Sequence, residues 1–323
     1  MPDHLLIFRL IQLLSAVPSQ SLDALSQQLC LSKSELQTLL QNLIELGCQS
    51  LILNNEQVTL LQSIELLDQQ QMIKTLERVR TDVNPLLSVH LSVSSTNEVL
   101  RSVDFNESMP YICLAEHQSN GKGRRGNRWE SPFARNIYLS LGYRCQISID
   151  KLGLISLLTG ASLAKTLTDL GLSDIWVKWP NDIYHNEKKL AGILIDVKSL
   201  SSSYADLIMG IGLNYSMVQN REINQPWTSL CQISNDIPGR TDVVTTLLTN
   251  LFNDLKRFEE QGFSFLASSW KQYDYLLGKP VTISGNEYDT GVANGINTMG
   301  ELILITDSGI KTVRSGEVSV RLS

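Results

Sequence analysis

Lys122, Arg124, Arg125 and Arg128 crowd one glycine-rich stretch, GKGRRGNRW (121–129), with no acid among them, in a chain whose formal net charge is −6. Glycine lets the backbone take angles that other residues resist and lets it approach a ligand closely. Convergent Arg and Lys on such a loop suit an anion, which in a compact site means phosphate or carboxylate. A solvated basic hairpin is the competing reading. The stretch is not a P-loop, since no Gly-Lys-Ser/Thr follows a strand at the required spacing. A second candidate is Lys178 in KWPND (178–182), followed by KKLAGIL (188–194). Pro180 biases Trp179 toward an extended conformation, so Lys178 should end a rigid strand. A lysine mounted that way suits catalysis better than one on a loose surface; the alternative is a surface hairpin with three lysines. Gly210-Ile211-Gly212-Leu213-Asn214 closes an apolar run, and its glycines allow a flat ligand to lie against backbone. Ser95-Thr96-Asn97 sits at a strand-to-helix junction, either as a helix cap or as partners for a small polar head group.

The rest of the chain must position these groups. Its 323 residues are long for one domain and comfortable for two or three. With 42% hydrophobic and 19% charged residues it has ample core for a globular protein. No run of 18 apolar residues appears, which predicts no membrane span. The start, Met1-Pro2-Asp3-His4, carries acid where a signal peptide needs positive charge, so a cytoplasmic location is expected. Cys30, Cys48, Cys113, Cys145 and Cys231 form no CxxC pair, and the four histidines are scattered. Both facts predict reduced, mostly buried thiols and no protein-bound transition metal.

Residues 5–14 carry apolar side chains at helical spacing, interrupted by Pro18. Ser21 caps a helix over 22–29 that sets Leu22, Leu25 and Leu29 on one face. Ser32-x-x-Glu35 is a capping box opening a third helix with Leu36, Leu39, Leu40, Leu43 and Leu46, which stops at Gly47. Two β-like runs, 50–53 and 57–61, follow across Asn54-Asn55. Three helices and a hairpin, with a tight turn before the third helix, are the layout of a winged helix-turn-helix. Residues 32–42 would be its recognition helix, offering Ser32, Lys33, Ser34, Gln37, Thr38, Gln41 and Asn42 to a DNA groove. Charge argues the other way. Between residues 1 and 70, Arg9 and Lys33 are the only Lys or Arg, against seven acids, whereas a DNA-binding face carries several cations. A working repressor and a domain with weak or lost DNA binding both stay open.

Further on, 70–80 reads as a charged connector helix and 87–93 as an alternating strand. An apolar strand over 111–115 delivers Glu116-His117-Gln118 into the glycine-rich loop. A buried strand is expected over 136–141 and an amphipathic helix over 152–170, ended by Gly171. Sheet runs cover 191–197 and 207–214, and helices cover 240–261 and 263–276. After Leu277-Gly278-Lys279-Pro280, short strands recur between turns at Ser284-Gly285-Asn286, Asn294-Gly295, Met299-Gly300 and Asp307-Ser308-Gly309. That pattern predicts a small SH3-like barrel of about five strands.

Ser95-Thr96-Asn97, GKGRRGNRW, KWPND with KLAGIL, GIGLN, the winged helix and the barrel together resemble the bifunctional biotin–protein ligase/biotin-operon repressors of bacteria, along essentially the whole chain. KWPND with KLAGIL close behind is the most specific part. The resemblance implies an α+β fold: a winged helix-turn-helix over 1–69, a mixed-sheet biotin/lipoyl-ligase-like catalytic domain over 70–276 and an SH3-like barrel over 277–323. It implies an enzyme that joins the biotin carboxylate to the α-phosphate of ATP, releases pyrophosphate, and passes biotin from the mixed anhydride to a lysine of a biotin carboxyl carrier protein. By resemblance, Ser95, Thr96, Asn97 and Gln118 hold the biotin ureido ring and flank the site, while Lys122, Gly123 and Arg124 cover biotin and the adenylate. Lys178 falls near the biotin carboxylate and α-phosphate, so Lys178 and Arg124 are the expected catalytic cations. Asp182 and Lys189 match metal-triphosphate positions, and Trp227 the aromatic that closes over adenine. Gly121, Arg125, Arg128, Gly212 and Asn214 complete the implied nucleotide set. Implied too are Mg²⁺ arriving with ATP rather than a permanent metal site, operator DNA as a partner, and a second copy recruited by ligand.

The family's usual loop reads GRGRxxRxW. Here Lys122 replaces the first Arg and Asn127 the third, which predicts surviving catalysis with altered affinity for ATP or the intermediate. The chemistry asks for these residue types in any case. Two anions must meet, and fixed cations lower the barrier, each preorganised donor being worth on the order of 10²–10³ in rate. Mg²⁺ would be held by phosphates and a carboxylate such as Asp182. A glycine-hinged loop folded over the labile acyl-adenylate excludes water. Two other functions compete: a ligand-sensing transcription regulator without ligase activity, and a lipoate ligase of the same superfamily, which the helix-turn-helix and barrel disfavour.

Overall fold

The computed structural model describes the chain apart from residues 1–3, 49, 55, 80–83, 106–108, 202–203, 219–221, 285–288, 317–318 and 323. Met1-Pro2-Asp3, Asn55, Arg80 and the Gly285-Asn286 turn therefore lie outside the described residues.

The first unit runs α1 (His4–Ala16), β1 (Ser19–Ser21), α2 (Leu22–Leu29), α3 (Lys33–Glu45), β2 (Leu51–Asn54) and β3 (Gln57–Leu60). Ser21 accepts from Ala24 N to start α2, and the Ser32/Glu35 capping box starts α3. Leu10, Leu14, Leu22, Leu25, Leu36 and Leu40 are fully buried between the helices. Strand β1 departs from expectation. Its Ser-Gln-Ser has no apolar alternation, and it forms because β3 offers an edge, Ser19 standing opposite Thr59. The core is completed from far along the chain by Phe133 and Ala134, just past the glycine-rich loop.

The central unit begins with α4 (Gln69–Arg78), β4 (Leu86–His90), α5 (Thr96–Arg101), β5 (Tyr111–Ala115) and β6 (Asn136–Cys145). It continues through α6 (Gly153–Asp169), β7 (Ile175–Lys178), β8 (Asp182–His185), β9 (Lys188–Leu200) and β10 (Ala205–Asn214), and ends with α7 (Leu230–Ile233), α8 (Arg240–Gln261) and α9 (Phe263–Tyr273). The sheet order is β4-β5-β6-β10-β9-β8-β7, with β4 and β5 parallel and the other pairs antiparallel. Side chains alternate between faces along a strand. Leu139, Leu141, Leu207, Met209, Ile211 and Leu213 therefore enter the main core, beneath the α6, α8 and α9 layer. Their neighbours Tyr138, Ser140, Gly210 and Gly212 face the opposite side, where α5 and the glycine-rich loop lie. Helix α6 is buried on most of its circumference rather than amphipathic, because it is packed between the sheet and two further helices.

A buried junction ties the first unit to the second. Both oxygens of Glu65 receive the opening amides of α8, Arg240 N at 2.9 Å and Thr241 N at 3.3 Å, which suits the positive end of a 22-residue helix. The Arg240 guanidinium, 1% exposed, donates to Glu116 at 2.7 Å and to the carbonyls of Glu65 and Asn136, each at 2.6 Å. Glu116 also receives Leu67 N at 2.6 Å. Buried charges persist when paired and hydrogen-bonded in this way.

The last unit is an antiparallel sheet of β11 (Pro280–Ser284), β12 (Asp289–Ile296), β13 (Leu302–Thr306), β14 (Gly309–Val313) and β15 (Ser319–Leu322), in the order β14-β13-β12-β11-β15. It docks where buried Trp179 donates its indole N–H to Gly300 O at 3.0 Å. Among the described residues, no helix is long and apolar enough to cross a membrane.

Candidate active site

A cavity of about 750 Å³ lies on the helix-poor face of the central sheet, between α5, the glycine-rich loop and the end of β15. One end is a relay of uncharged polar groups. The hydroxyl of Ser140, delivered by β6, reaches Thr96 Oγ1 at 2.7 Å and Asn97 Oδ1 at 2.6 Å. Gln118 Oε1 accepts from Thr96 N at 2.9 Å, and its amide donates to Ser131 Oγ at 3.0 Å. Asn97 donates its other amide group to Asp196 at 3.1 Å, which orients the side chain. Gly210 lies against the Asn97 amide and leaves no room for a Cβ. Ser95 lines the same end without capping α5 by its side chain. This end can recognise a neutral, polar, hydrogen-bonding head group.

The other end concentrates cations. Lys178 closes β7 opposite Asp182 on β8, beside the cis Trp179–Pro180 bond. Its ammonium stands 5.0 Å over the Tyr184 ring. Burial pulls its pKa below the usual lysine value, with Lys189 and Arg321 adding to the effect and Asp182 opposing it. Lys189 Nζ lies 2.8 Å from Asp182 Oδ1. That oxygen is buried and makes no hydrogen bond of good geometry, so it keeps acceptor capacity toward the cavity. The backbone of Lys189 pairs on both sides of Trp227, receiving from Thr228 N and donating to Pro226 O, each at 3.0 Å. Asn214 lines the same region and donates to Thr228 O at 3.0 Å.

The glycine-rich loop folds over both ends. A single turn over Arg124–Gly126 holds Arg125 at φ 58° and Gly126 at φ 74°, a left-handed excursion that glycine eases. Gly123 N donates to Asn127 O at 2.7 Å and Trp129 N to Gly121 O at 2.9 Å. Lys122 meets Glu98 on α5 at 2.5 Å. Arg124 donates to Asn181 Oδ1 at 3.0 Å and to the carbonyl of Ser315 in the last unit. Burial lowers the Arg124 pKa, Arg125 adds to this and Asp182 opposes it. Arg128, beside the Asn127 substitution, pairs with Glu130 at 3.3 Å.

Two glycines of the expected set are packed against the chain itself. Gly212 does not present bare backbone: the Trp129 indole packs on it and on Gly192, so a flat group of the chain itself uses that surface. Gly121 is packed beneath Trp129 O and Ser131 Oγ and is absent from the cavity lining, so its role there is to let the loop cross closely. Ser95, Thr96, Asn97, Gln118, Lys122, Gly123, Arg124, Arg125, Arg128, Lys178, Asp182, Lys189, Gly212, Asn214 and Trp227 all line the one cavity. Ser32, Lys33, Ser34, Gln37, Thr38 and Gln41 lie on the first unit, outside that lining.

Comparison with known proteins gives this arrangement a lineage. Residues 89–214 match the Biotin/lipoate A/B protein ligase family, and residues 276–321 match the Biotin protein ligase C terminal domain. The chain is 31% identical over 324 residues to the bifunctional ligase/repressor BirA of Escherichia coli (strain K12), an alignment covering 99% of each. It belongs to the biotin protein ligase family. The BirA of Salmonella typhimurium is 32% identical over the same share of both chains. Among solved structures, the biotin protein ligase from Aquifex aeolicus in complex with biotin and ATP matches with a TM-score of 0.65 and 30% identity, covering 74% of this chain and 99% of that one. Family membership bears out the resemblance read from the motifs.

Sequence reasoning missed Ser140, Asn181, Arg321 and Ser131. Ser140 sits in an apolar run and is picked out only by the pleat that turns it toward Thr96. Asn181 was within reach as part of KWPND; its amide is spent on Ile193 O at 2.9 Å, which leaves its oxygen facing Arg124. Arg321 arrives from a separate unit and carries no local signal.

Proposed function

We propose that the chain activates biotin with ATP and transfers it to a lysine of a biotin carboxyl carrier protein. One observation carries the reading: an uncharged polar relay and a convergent set of cations share a single cavity under one loop. Thr96, Asn97, Gln118 and Ser140 would take the ureido group. Lys178 and Arg124 would draw the biotin carboxylate and the α-phosphate together as a carboxylate oxygen bonds to phosphorus and pyrophosphate leaves. The carrier amine would then attack the acyl carbon, losing a proton as AMP departs. Lys189, Arg125 and Arg128 would hold the phosphates, and Trp227 with Asn214 the adenosine. Among the described residues no cluster of His, Cys, Asp or Glu could hold a metal alone. Mg²⁺ would come with ATP and neutralise phosphate charge, with Asp182 as its protein ligand; the free acceptor capacity of Oδ1 fits that role.

We propose domains over 1–69, 70–276 and 277–323, the first a winged helix-turn-helix and the last an SH3-like barrel, in a cytoplasmic protein that pairs with a second copy when ligand is bound; the order of elements supports the three units. We infer weak operator binding. The E. coli and Salmonella relatives are named ligase/repressor, and the fold of α1 to β3 supports a shared origin. Yet Lys33, the one cation of the recognition helix, is held by Asp23 at 3.1 Å and Glu56 at 3.2 Å.

Incubation with biotin, Mg-ATP and a carrier domain tests the reading. Biotin incorporation is expected. Absence of transfer, with lipoate incorporated instead, overturns it. A salt titration of operator binding tests the second inference, and tight binding with a steep salt slope refutes it.

A further inference from the structure

A second cavity, also about 750 Å³, lies at the seam between the first unit and the central sheet. Glu45 at the end of α3 and Gly47 just after it form one wall, and His117, Arg128, Pro132 and Arg135 form the other. Arg135 is the unusual member. It is 6% exposed, held between Ala134 at φ 54° and the first residue of β6. Its carbonyl accepts from Ser216 N at 2.7 Å. Among the described residues its guanidinium has no hydrogen-bond or ion-pair partner.

Its nitrogens open onto the cavity, and among the described residues no carboxylate stands within ion-pair reach of them. Cys48 is pushed up to about 11 by burial and Cys231 is also raised by burial, so both stay thiols at neutral pH. Glu116 already holds Arg240, a second cation acting on Arg135. Glu130 pairs with Arg128 at 3.3 Å, and Glu45 accepts from Gln41 at 3.3 Å. Glu222 stands on the wall shared with the larger cavity. What remains is a fork of donors facing a polar space, the geometry that matches carboxylate and phosphate oxygens.

We propose that this seam cavity is a second ligand site that takes a compact oxyanion, a phosphate or a carboxylate, on Arg135. Its occupant sits behind Gln118 and Ser131, the root of the polar relay, and touches α3 across the gap. The site does not depend on the ligase reading, since Arg135 lies outside the larger cavity.

The test is calorimetric titration of the full chain with inorganic phosphate, and separately with acetate, at constant ionic strength. Saturable binding of at least one anion is expected, weakened at least tenfold by Arg135→Leu and retained in Arg124→Ala. The relative affinities identify the preferred anion. Binding as tight in Arg135→Leu as in the unaltered chain, or saturable binding of neither anion, overturns the proposal. Should Arg135→Leu fail to fold, crystals of the unaltered chain soaked in tungstate give the answer independently. A peak within hydrogen-bond reach of the Arg135 guanidinium supports the site, and a peak confined to the Arg124–Lys178 cavity refutes it.

Discussion

Lys33 and Lys178 occupy comparable places in two different units. Each sits at the end of a regular element; the sequence reading offers Lys33 to a DNA groove, and the family resemblance places Lys178 near a carboxylate and a phosphate. Their surroundings differ. Asp23 and Glu56 both reach Lys33, which raises its pKa, the Asp23 hydrogen bond contributing most. Lys178 is partly buried with Lys189 and Arg321 beside it, and its pKa is lowered. A lysine saturated by carboxylates has little charge to offer a ligand. One crowded by other cations is stabilised when an anion arrives. Electrostatic need, rather than the presence of a lysine, separates the cavity from the start of α3.

The strongest way to break this comparison is at Lys178. Lys178→Ala should lower adenylate formation, read as biotin-dependent pyrophosphate release, by on the order of 10²–10³ with the fold intact. Retained activity would move the catalytic charge elsewhere, to Lys189 first. Arg124→Ala removes one cation and unpins the loop from Asn181 and Ser315. A loss of about tenfold to a hundredfold in transfer is expected, together with more free AMP per biotin transferred, because an open loop admits water to the intermediate. Unchanged coupling would mean that the loop closes without Arg124.

The comparison sharpens from the other side with Asp23→Asn combined with Glu56→Gln. Freeing Lys33 should steepen the slope of log affinity against log salt for operator DNA by about 0.9, one extra phosphate contact. An unaltered slope would show that Lys33 does not face the groove. The smallest effect concerns pH. On the proposed function Lys178 must be protonated to stabilise charge, and its pKa lies below the usual lysine value. The kcat/KM of adenylation in the unliganded chain should therefore fall as pH rises through that lowered value. Lys178→Arg should carry the alkaline limb upward.

Much of the fold was readable locally. Capping at Ser21 and Ser32 and leucines at helical spacing located α2 and α3, and glycine-punctuated alternation located the last sheet, because those signals act within a few residues. β1 was invisible, since a polar tripeptide becomes a strand only when another strand offers its edge. The burial of α6 was equally hidden, because its surroundings are set by two later helices.

The site divides in the same way. Which charges and amides the chain owns was set by residue type, and the family resemblance of GKGRRGNRW and KWPND assigned them to one chemistry. Folding alone decided that Ser140 turns toward Thr96, that Arg321 approaches Lys178, that Trp129 covers Gly212, and that Lys33 is neutralised while Arg135 is not. The physical reason is range. Propensity and capping act between neighbours along the chain, whereas hydrogen bonding, desolvation and Coulomb attraction depend on distance through space, which only the packed structure sets.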